Sequence, residues 1–441
     1  MTNTNCFKEF FRYASLNVLG MIGLSCYILA DTFFISRGMG ADGLTALNLA
    51  IPVFSVISGC GQMFSMGGAI KYTILISQGN CAQANRVFTN TLWLSGTVSL
   101  LFILVGIVFP ENITRLLGAD ETVFSMTKTY LQILLLFSPF FMLNHVFQSF
   151  VRNDGAPKLA MIAMLSGSLA NIALDYLFIF PFRLGILGAV LATCCAPIIS
   201  MLILTVHKSK KKNRFHLVKT GPHIKISKTI VSLGFPSLIT ELSSGIVIVV
   251  FNQILLKITG NIGVAAYGVI ANLSLVVISI YTGIAQGMQP LVSQAYGMGS
   301  QSRLKQILYY GLSSVVLLSA ILYAVIFFCS APITAVFNSE GNAQLAAIAV
   351  PGLRLYFSGA VFAGVNIVLT IFFASSEHAA ASQLITLLRG LVLIIPSALL
   401  LAALLGTNGV WLAFPVTEFL VMALGGILYA FLRSRLLSHE T

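Results

Sequence analysis

The chain has 441 residues, of which 57% are hydrophobic and 9% charged, and its formal net charge is +12. A soluble domain carries roughly 25% charged residues, so this composition excludes a soluble protein and leaves an integral membrane protein. The positive excess does not call for nucleic acid: most of it lies in the connector Lys208 to Lys228, where a topology signal with attraction for anionic membrane lipid accounts for it.

Twelve apolar runs long enough to cross a hydrocarbon core of about 30 Å are predicted, at 13–35, 46–76, 88–110, 127–150, 159–180, 185–206, 229–257, 264–293, 306–330, 347–373, 380–403 and 409–432. Phe7 to Tyr13 carries Lys8, Glu9 and Arg12 and runs straight into the first span, so that span is expected to act as its own insertion signal, with no cleaved leader. Of the 25 Lys and Arg, 18 fall on one side: Lys8, Arg12, Lys71, Arg86, Arg152, Lys158, eight in the 208–228 loop, Arg303, Lys305, Arg433 and Arg435. Arg37, Arg115, Arg183 and Lys257 fall in the opposite loops. The positive-inside rule then predicts a multi-pass protein of the cell inner (plasma) membrane with both termini cytoplasmic. The seven cysteines, Cys6, Cys26, Cys60, Cys81, Cys194, Cys195 and Cys329, show neither paired nor metal-ligand spacing and read as free thiols.

The chain repeats itself. At an offset of 220, Gly40, Gly43, Ala46, Val56, Gly67 and Gly79 recur as Gly260, Gly263, Ala266, Val276, Gly287 and Gly299, and Ile113-Thr114 recurs as Ile333-Thr334. At an offset of 221, Gly185, Gly188, Leu191 and Ala192 recur as Gly406, Gly409, Leu412 and Ala413. Six spans per half is an even number, so the halves enter with the same orientation and the repeat is parallel. The expected fold is therefore an all-α membrane protein of twelve helices in two six-helix lobes related by a parallel pseudo-two-fold repeat. The N-lobe would cover 1–207, the basic linker 208–228 and the C-lobe 229–441. A duplication that carries no motion remains the plainer alternative to rocking-type alternating access.

The candidate chemistry lies in two acids at membrane depth, Asp31 in the first span and Asp175 in the fifth. An ionised carboxylate there costs about 2.5–3.5 kcal/mol on insertion scales, which favours a functional role. Asn171 and Asp175 are four apart and share a helix face. With Thr193 of the sixth span they form an all-oxygen set suited to a hard monovalent cation or a shared proton. The bland alternative is that each aspartate accepts hydrogen bonds from neighbouring helices. Glu241, in the middle of the seventh span, would attract cationic substrate or join proton coupling, or else bond nearby serines; Glu418 is a weaker candidate of the same kind. Arg354 and Arg389 are available to pair with such acids. Gln286 and Gln289 are polar at membrane depth, and Met63 and Met288 suit adaptable binding of varied shapes, although methionine at helical spacing mostly faces lipid or core. His145 is expected in an interhelical hydrogen bond. Phosphate-binding Gly-Lys loops, HExxH and a Ser-His-Asp order do not occur, so the sequence gives no support to ATP hydrolysis or proteolysis and the expectation is of no enzyme and no cofactor.

Tyr27-Ile-Leu-Ala-Asp31-Thr-Phe-Phe-Ile-Ser-Arg-Gly38, Gly43-Leu-Thr-Ala-Leu-Asn48-Leu-Ala-Ile-Pro52, Asn171-Ile-Ala-Leu-Asp175-Tyr-Leu-Phe-Ile-Phe180 and Gly283-Ile-Ala-Gln-Gly287-Met-Gln-Pro290 resemble the multidrug and toxic compound extrusion (MATE) transporters, more closely their MepA-like branch. The resemblance covers nearly the whole length. It implies two six-helix lobes around a cavity and export of bulky, amphiphilic, often cationic compounds in exchange for an inward gradient of H+ or Na+. Carried over, the family's N-lobe cation site, for a proton or a sodium ion, would fall on Asp31, Asn171, Asp175 and Thr193, with Asn144 of the fourth span. Two positions depart from the family: Leu16 stands where many members have a proline in the first helix, and Asn366 stands where some place a carboxylate in the tenth, which makes a second cation site doubtful. The expected protein is a monomeric antiporter in contact with membrane lipids and small-molecule substrates. The rival is a flippase for lipid-linked precursors from the same superfamily, whose anionic head groups would ask for Arg and Lys where this chain has acids.

Overall fold

The computed structural model describes residues 3–209, 213–338 and 342–436. Lys210, Lys211 and Lys212 and the side chains of Arg433 and Arg435, counted above among the basic residues of one side, lie outside the described residues. Every element among the described residues is helical.

Helices α1 (Asn3–Ser77) and α8 (Ile224–Gly297) are 75 and 74 residues long, several times a bilayer at about 1.5 Å per residue. Each is interrupted at one residue, Gly40 (φ 65°, ψ −150°) and Gly260 (φ 67°, ψ −156°). That backbone region is essentially closed to side chains, so the glycine is what lets the chain turn and makes each run two crossings. Between Asn3 and Met39 no residue leaves helical geometry, so the first span runs unbroken with Leu16 in place of a proline.

After α1 come α2 (Cys81–Val108), α3 (Pro110–Leu116), α4 (Phe124–Leu136), α5 (Ser138–Asn153), α6 (Pro157–Ile179) and α7 (Gly185–Ser209). After α8 come α9 (Gln301–Phe328), α10 (Ser330–Phe337), α11 (Ala343–Phe357), α12 (Ala360–Ser375), α13 (Ala379–Leu387), a π-turn at Leu388–Val392, α14 (Ile394–Leu405) and α15 (Thr407–Leu436). The fourth and tenth predicted spans are not straight: α4 and α5 meet at 48°, α11 and α12 at 43°. Pro139, at the start of α5, lacks the N–H that would continue the ladder. At the second bend Gly359 backs so closely on the Pro415 backbone that a Cβ would collide with it. With the two broken runs as two crossings each and the two bent pairs as one each, the helices supply the twelve predicted spans.

The repeat is visible in the backbone. α2 and α9 begin and end at the same positions at an offset of 220. Gly79 and Gly299 both take positive φ (79° and 67°), as do Gly185 and Gly406 (57° and 60°). Thr114 and Thr334 each return a hydroxyl hydrogen bond of 2.8 Å to the carbonyl four residues back.

Packing divides the chain into two compact units, one of residues 19–242 and one of 1–18 with 243–441, so both boundaries fall inside helices. In the first unit the core is built around Ile57, Tyr72, Met142, Phe150 and Cys194; in the second, around Phe251, Tyr281, Phe373 and Trp411. Small residues set the spacing. A Cβ on Gly67 would strike the carbonyl of Ile230, and one on Gly287, its repeat partner, the backbone of Tyr13 and Ala14. Large apolar side chains such as Leu100, Leu104, Ile107 and Leu404 stand more than half exposed, a surface that suits lipid rather than water.

Candidate ion-coupling site

Asp31 reaches its neighbours because α1 and α6 run side by side through small residues. A Cβ on Gly20 would press on Met164, on Gly23 on Leu165, and on Gly38 on Ile179. Asp31 lies between the last two of these contacts, and Asn171 and Asp175 lie between their partners on α6. α7 is held against α6 by the same device, since a Cβ on Gly167 would crowd the Ala196 carbonyl and one on Gly188 would meet the Phe178 backbone.

The result is a dry, unbalanced cluster. Asn171 and Asp175 have no exposed surface, and Asp31 and Thr193 are 8% and 7% exposed. Asp31 and Asp175 lie close enough for each carboxyl group to act on the other. Both are acceptors when ionised, so the contact becomes a bond only if a proton or a cation is supplied. Among the described residues no partner reaches Asp31 Oδ1, either oxygen of Asp175, or either terminal atom of Asn171. The large majority of buried polar atoms in folded proteins have a partner, so a cluster of orphans this dense is the candidate site. Neither aspartate belongs to an ion pair among the described residues.

Thr193 joins through a residue that sequence reasoning missed. Its hydroxyl donates to the Ala189 carbonyl at 3.1 Å, and Tyr130 lies beside it. Tyr130, buried on α4, lies within the field of both aspartates. Tyr27, one turn before Asp31, lies within the field of Asp31, Asp175 and Glu241. Nothing in a lone tyrosine within an apolar run flagged Tyr130; its spacing on α4 marks a face, not a partner. Asn144 sits on α5 with a buried Oδ1 that has no partner. His145 beside it meets Ser58 Oγ at 3.3 Å, the expected interhelical contact.

The substrate candidates fall in both units. In the unit of 19–242, Glu241 accepts a 2.6 Å hydrogen bond from Gln62 Nε2, and Met63 is buried with its carbonyl against Gly234. In the other unit, Met288 is fully buried with its sulfur against Gly311, Gln289 is fully buried and donates to Ser293 Oγ at 3.2 Å, and Gln286 is half-buried.

A second buried charge cluster occupies the unit of 1–18 and 243–441. Arg389, on the π-turn, donates from Nε and Nη2 to Glu418 Oε1 at 3.1 and 2.7 Å. Asn366 Nδ2 donates to Glu418 Oε2 at 2.6 Å and to its carbonyl at 2.8 Å. Arg354 is engaged elsewhere, donating to the Phe327 carbonyl and Ser330 Oγ and covering the Phe327 ring. Among the described residues no three His, Cys, Asp or Glu side chains gather as a metal centre would require.

The MatE family model matches twice, over residues 18–177 and 236–400, once in each half of the repeat. The chain belongs to the MATE family of membrane transporters. It is similar to the multidrug export protein MepA of Staphylococcus saprophyticus, at 24% identity over 98% of this chain and 95% of that protein. MepA of Staphylococcus aureus is 24% identical over the same shares. Among solved structures, an outward-facing multidrug resistance MATE transporter of the MOP superfamily superposes with a TM-score of 0.92 at 23% identity, covering 98% of this chain and 96% of that one. A MOP superfamily transporter from Pyrococcus furiosus, whose reversed pocket polarity suggests a different function for it, superposes with a TM-score of 0.91 at 22% identity over the same shares. Two proteins described so differently share this fold equally well, so fold cannot select the activity here.

Proposed function

We propose that this MATE transporter is a cation-coupled multidrug antiporter. It exports amphiphilic, preferentially cationic small molecules in exchange for H+ or Na+, and Asp31 and Asp175, with Asn171 and Thr193, carry the coupling ion. The observation that supports this is the pair of buried acids: together with Asn171 they hold five polar atoms without a partner, and neither acid joins an ion pair, among the described residues. Such a pair is stable only with a proton or a cation bound, so its occupancy responds to a gradient. An ion that favours one arrangement of the helices around it shifts the balance of states by its differential affinity, and this is how a gradient drives alternating access between the proposed lobes, 1–207 and 229–441.

In this reading Asn144 completes the ion's surroundings, while Glu241, Gln286, Gln289, Met63 and Met288 meet substrate. The protein works as a monomer in the inner (plasma) membrane with both termini cytoplasmic. The test is efflux of ethidium from proteoliposomes under a proton gradient and a sodium gradient imposed separately. Gradient-driven efflux in the parent, lost in Asp31→Asn and Asp175→Asn, is the expected result and names the ion. No efflux under either gradient would overturn the proposal and turn attention to flipping of lipid-linked precursors.

A further inference from the structure

The connector between the two halves is not a slack tether. Residues 213–223 are neither helix nor strand, yet their backbone is bound at nearly every second residue. Asp154, 6% exposed at the end of α5, takes the backbone N–H of Arg214 at 2.8 Å and its Nε at 2.9 Å, while also accepting from Tyr72 Oη at 3.2 Å and meeting His207 Nε2 at 2.9 Å. Phe215 then buries its ring among Tyr72, Phe88, Phe150 and His207. Beyond it the chain lies along one face of α2: His216 N–H on Asn85 Oδ1 (2.8 Å), Val218 N–H on Thr89 Oγ1 (3.1 Å), the Thr220 carbonyl under Trp93 Nε1 (3.2 Å), and His223 N–H on Asn90 Oδ1 (2.7 Å). Asn90 also donates to Ser227 Oγ at 2.7 Å, inside the first turn of α8. The amides of 214, 216 and 218 project to one side because an extended chain alternates, and 85, 89 and 93 share a face because a helix repeats every 3.6 residues.

The repeat supplies the control. α9 matches α2 in length and register, but the positions equivalent to Asn85, Thr89, Asn90 and Trp93 are Lys305, Tyr309, Tyr310 and Ser313. The polar ladder belongs to the helix that faces the connector and is not inherited with the fold.

We propose that Asp154 and the Asn85–Thr89–Asn90–Trp93 face of α2 are positioning residues for transport: they hold 213–223 as a strap that stays in place through the cycle and carries residues 224–242 of α8 with the unit of 19–242. Conformational change in α8 is then absorbed where that unit ends, at Leu242-Ser243-Ser244-Gly245, a Ser/Gly run of the kind that bends helices, with open space around Gly245.

This inference rests on the transport reading above, and two readouts separate them. Asn85→Cys with His216→Cys, in a chain whose native cysteines are replaced by serine or alanine, is cross-linked and assayed for ethidium efflux. Efflux unchanged by the cross-link is expected; efflux abolished by it and restored on reduction would overturn the strap, because the connector would then have to detach. Asp154→Ala, or Asn90→Ala should Asp154→Ala fail to fold, is expected to lower efflux several-fold and to be rescued by the same cross-link. A variant lowered but not rescued would contradict a positioning role. Hydrogen exchange needs no transport: slow amides at 214, 216, 218 and 223 in the parent support the strap, and exchange as fast as an unstructured peptide refutes it even if the antiporter reading stands.

Discussion

Two buried charge clusters of this chain are built in opposite ways. Asp31 on α1 and Asp175 on α6 lie close together with no basic side chain paired to either among the described residues, whereas Glu418 on α15 is held by Arg389 and Asn366. The second cluster pairs its charges and satisfies both carboxylate oxygens, with Asn366 Oδ1 left without a partner among the described residues. The first leaves three of its carboxylate oxygens without a partner among the described residues, which is what the proposed coupling ion would supply. An acid's presence at membrane depth is therefore a weaker signal than the absence of its counter-charge, and the proposed exchangeable site is the unbalanced one.

The sharpest way to break this contrast is to unbalance the balanced cluster. Arg389→Ala leaves Glu418 buried and alone and is expected to cost about 3–5 kcal/mol of stability, read as a large fall in melting temperature in detergent. Arg389→Met with Glu418→Gln should recover most of that loss, and the recovered protein should still couple efflux to the ion. Loss of coupling in the double variant would place Glu418 in the machinery. Next, Asp175→Asn removes one charge from the unbalanced pair. A charged hydrogen-bond partner is worth about 1.5–3 kcal/mol, so ion affinity should fall roughly 10- to 150-fold, measured by titrating the ion against drug-binding fluorescence.

The repeat offers a comparison of equals. Gly40→Ala and Gly260→Ala force side chains into the same closed backbone region, and each should destabilise by about 1–3 kcal/mol. Unequal melting shifts would show that the two turns, alike in geometry, are loaded differently. The smallest effect is expected at Thr193→Val, which removes one hydroxyl from the edge of the site. About 1 kcal/mol, or roughly fivefold in ion affinity, is the expected loss, with Tyr130→Phe similar.

Much of this was legible in the residues. Apolar runs set the spans because only helices satisfy their backbone inside lipid, and the paired glycines at 40 and 260, and at 185 and 406, announced the repeat because each occupies a conformation other residues avoid. Asp31 and Asp175 were legible because charge among apolar neighbours is costly, and Asn171 because it lies one turn from Asp175 on the same face. What the residues did not disclose depends on contacts between distant segments. Tyr130 looks like any buried aromatic until α4 meets α7, and although Arg389 was available to pair with a membrane-depth acid, that its partner is Glu418, 29 positions on, depends on the fold. The partners of the connector's backbone at 216, 218, 220 and 223 are not visible until α2 is seen beneath it. The bend between α4 and α5 was foreshadowed by Pro139, but the one at Gly359 depends on Pro415, far along the chain.

The most direct test of the central claim is ion release on drug binding. Purified protein, in weakly buffered detergent solution with the coupling ion bound, is mixed with ethidium while pH and free sodium are recorded. The parent and the Arg389→Met, Glu418→Gln double variant should release the ion, and Asp175→Asn should not. Equal release from the parent and Asp175→Asn would contradict it.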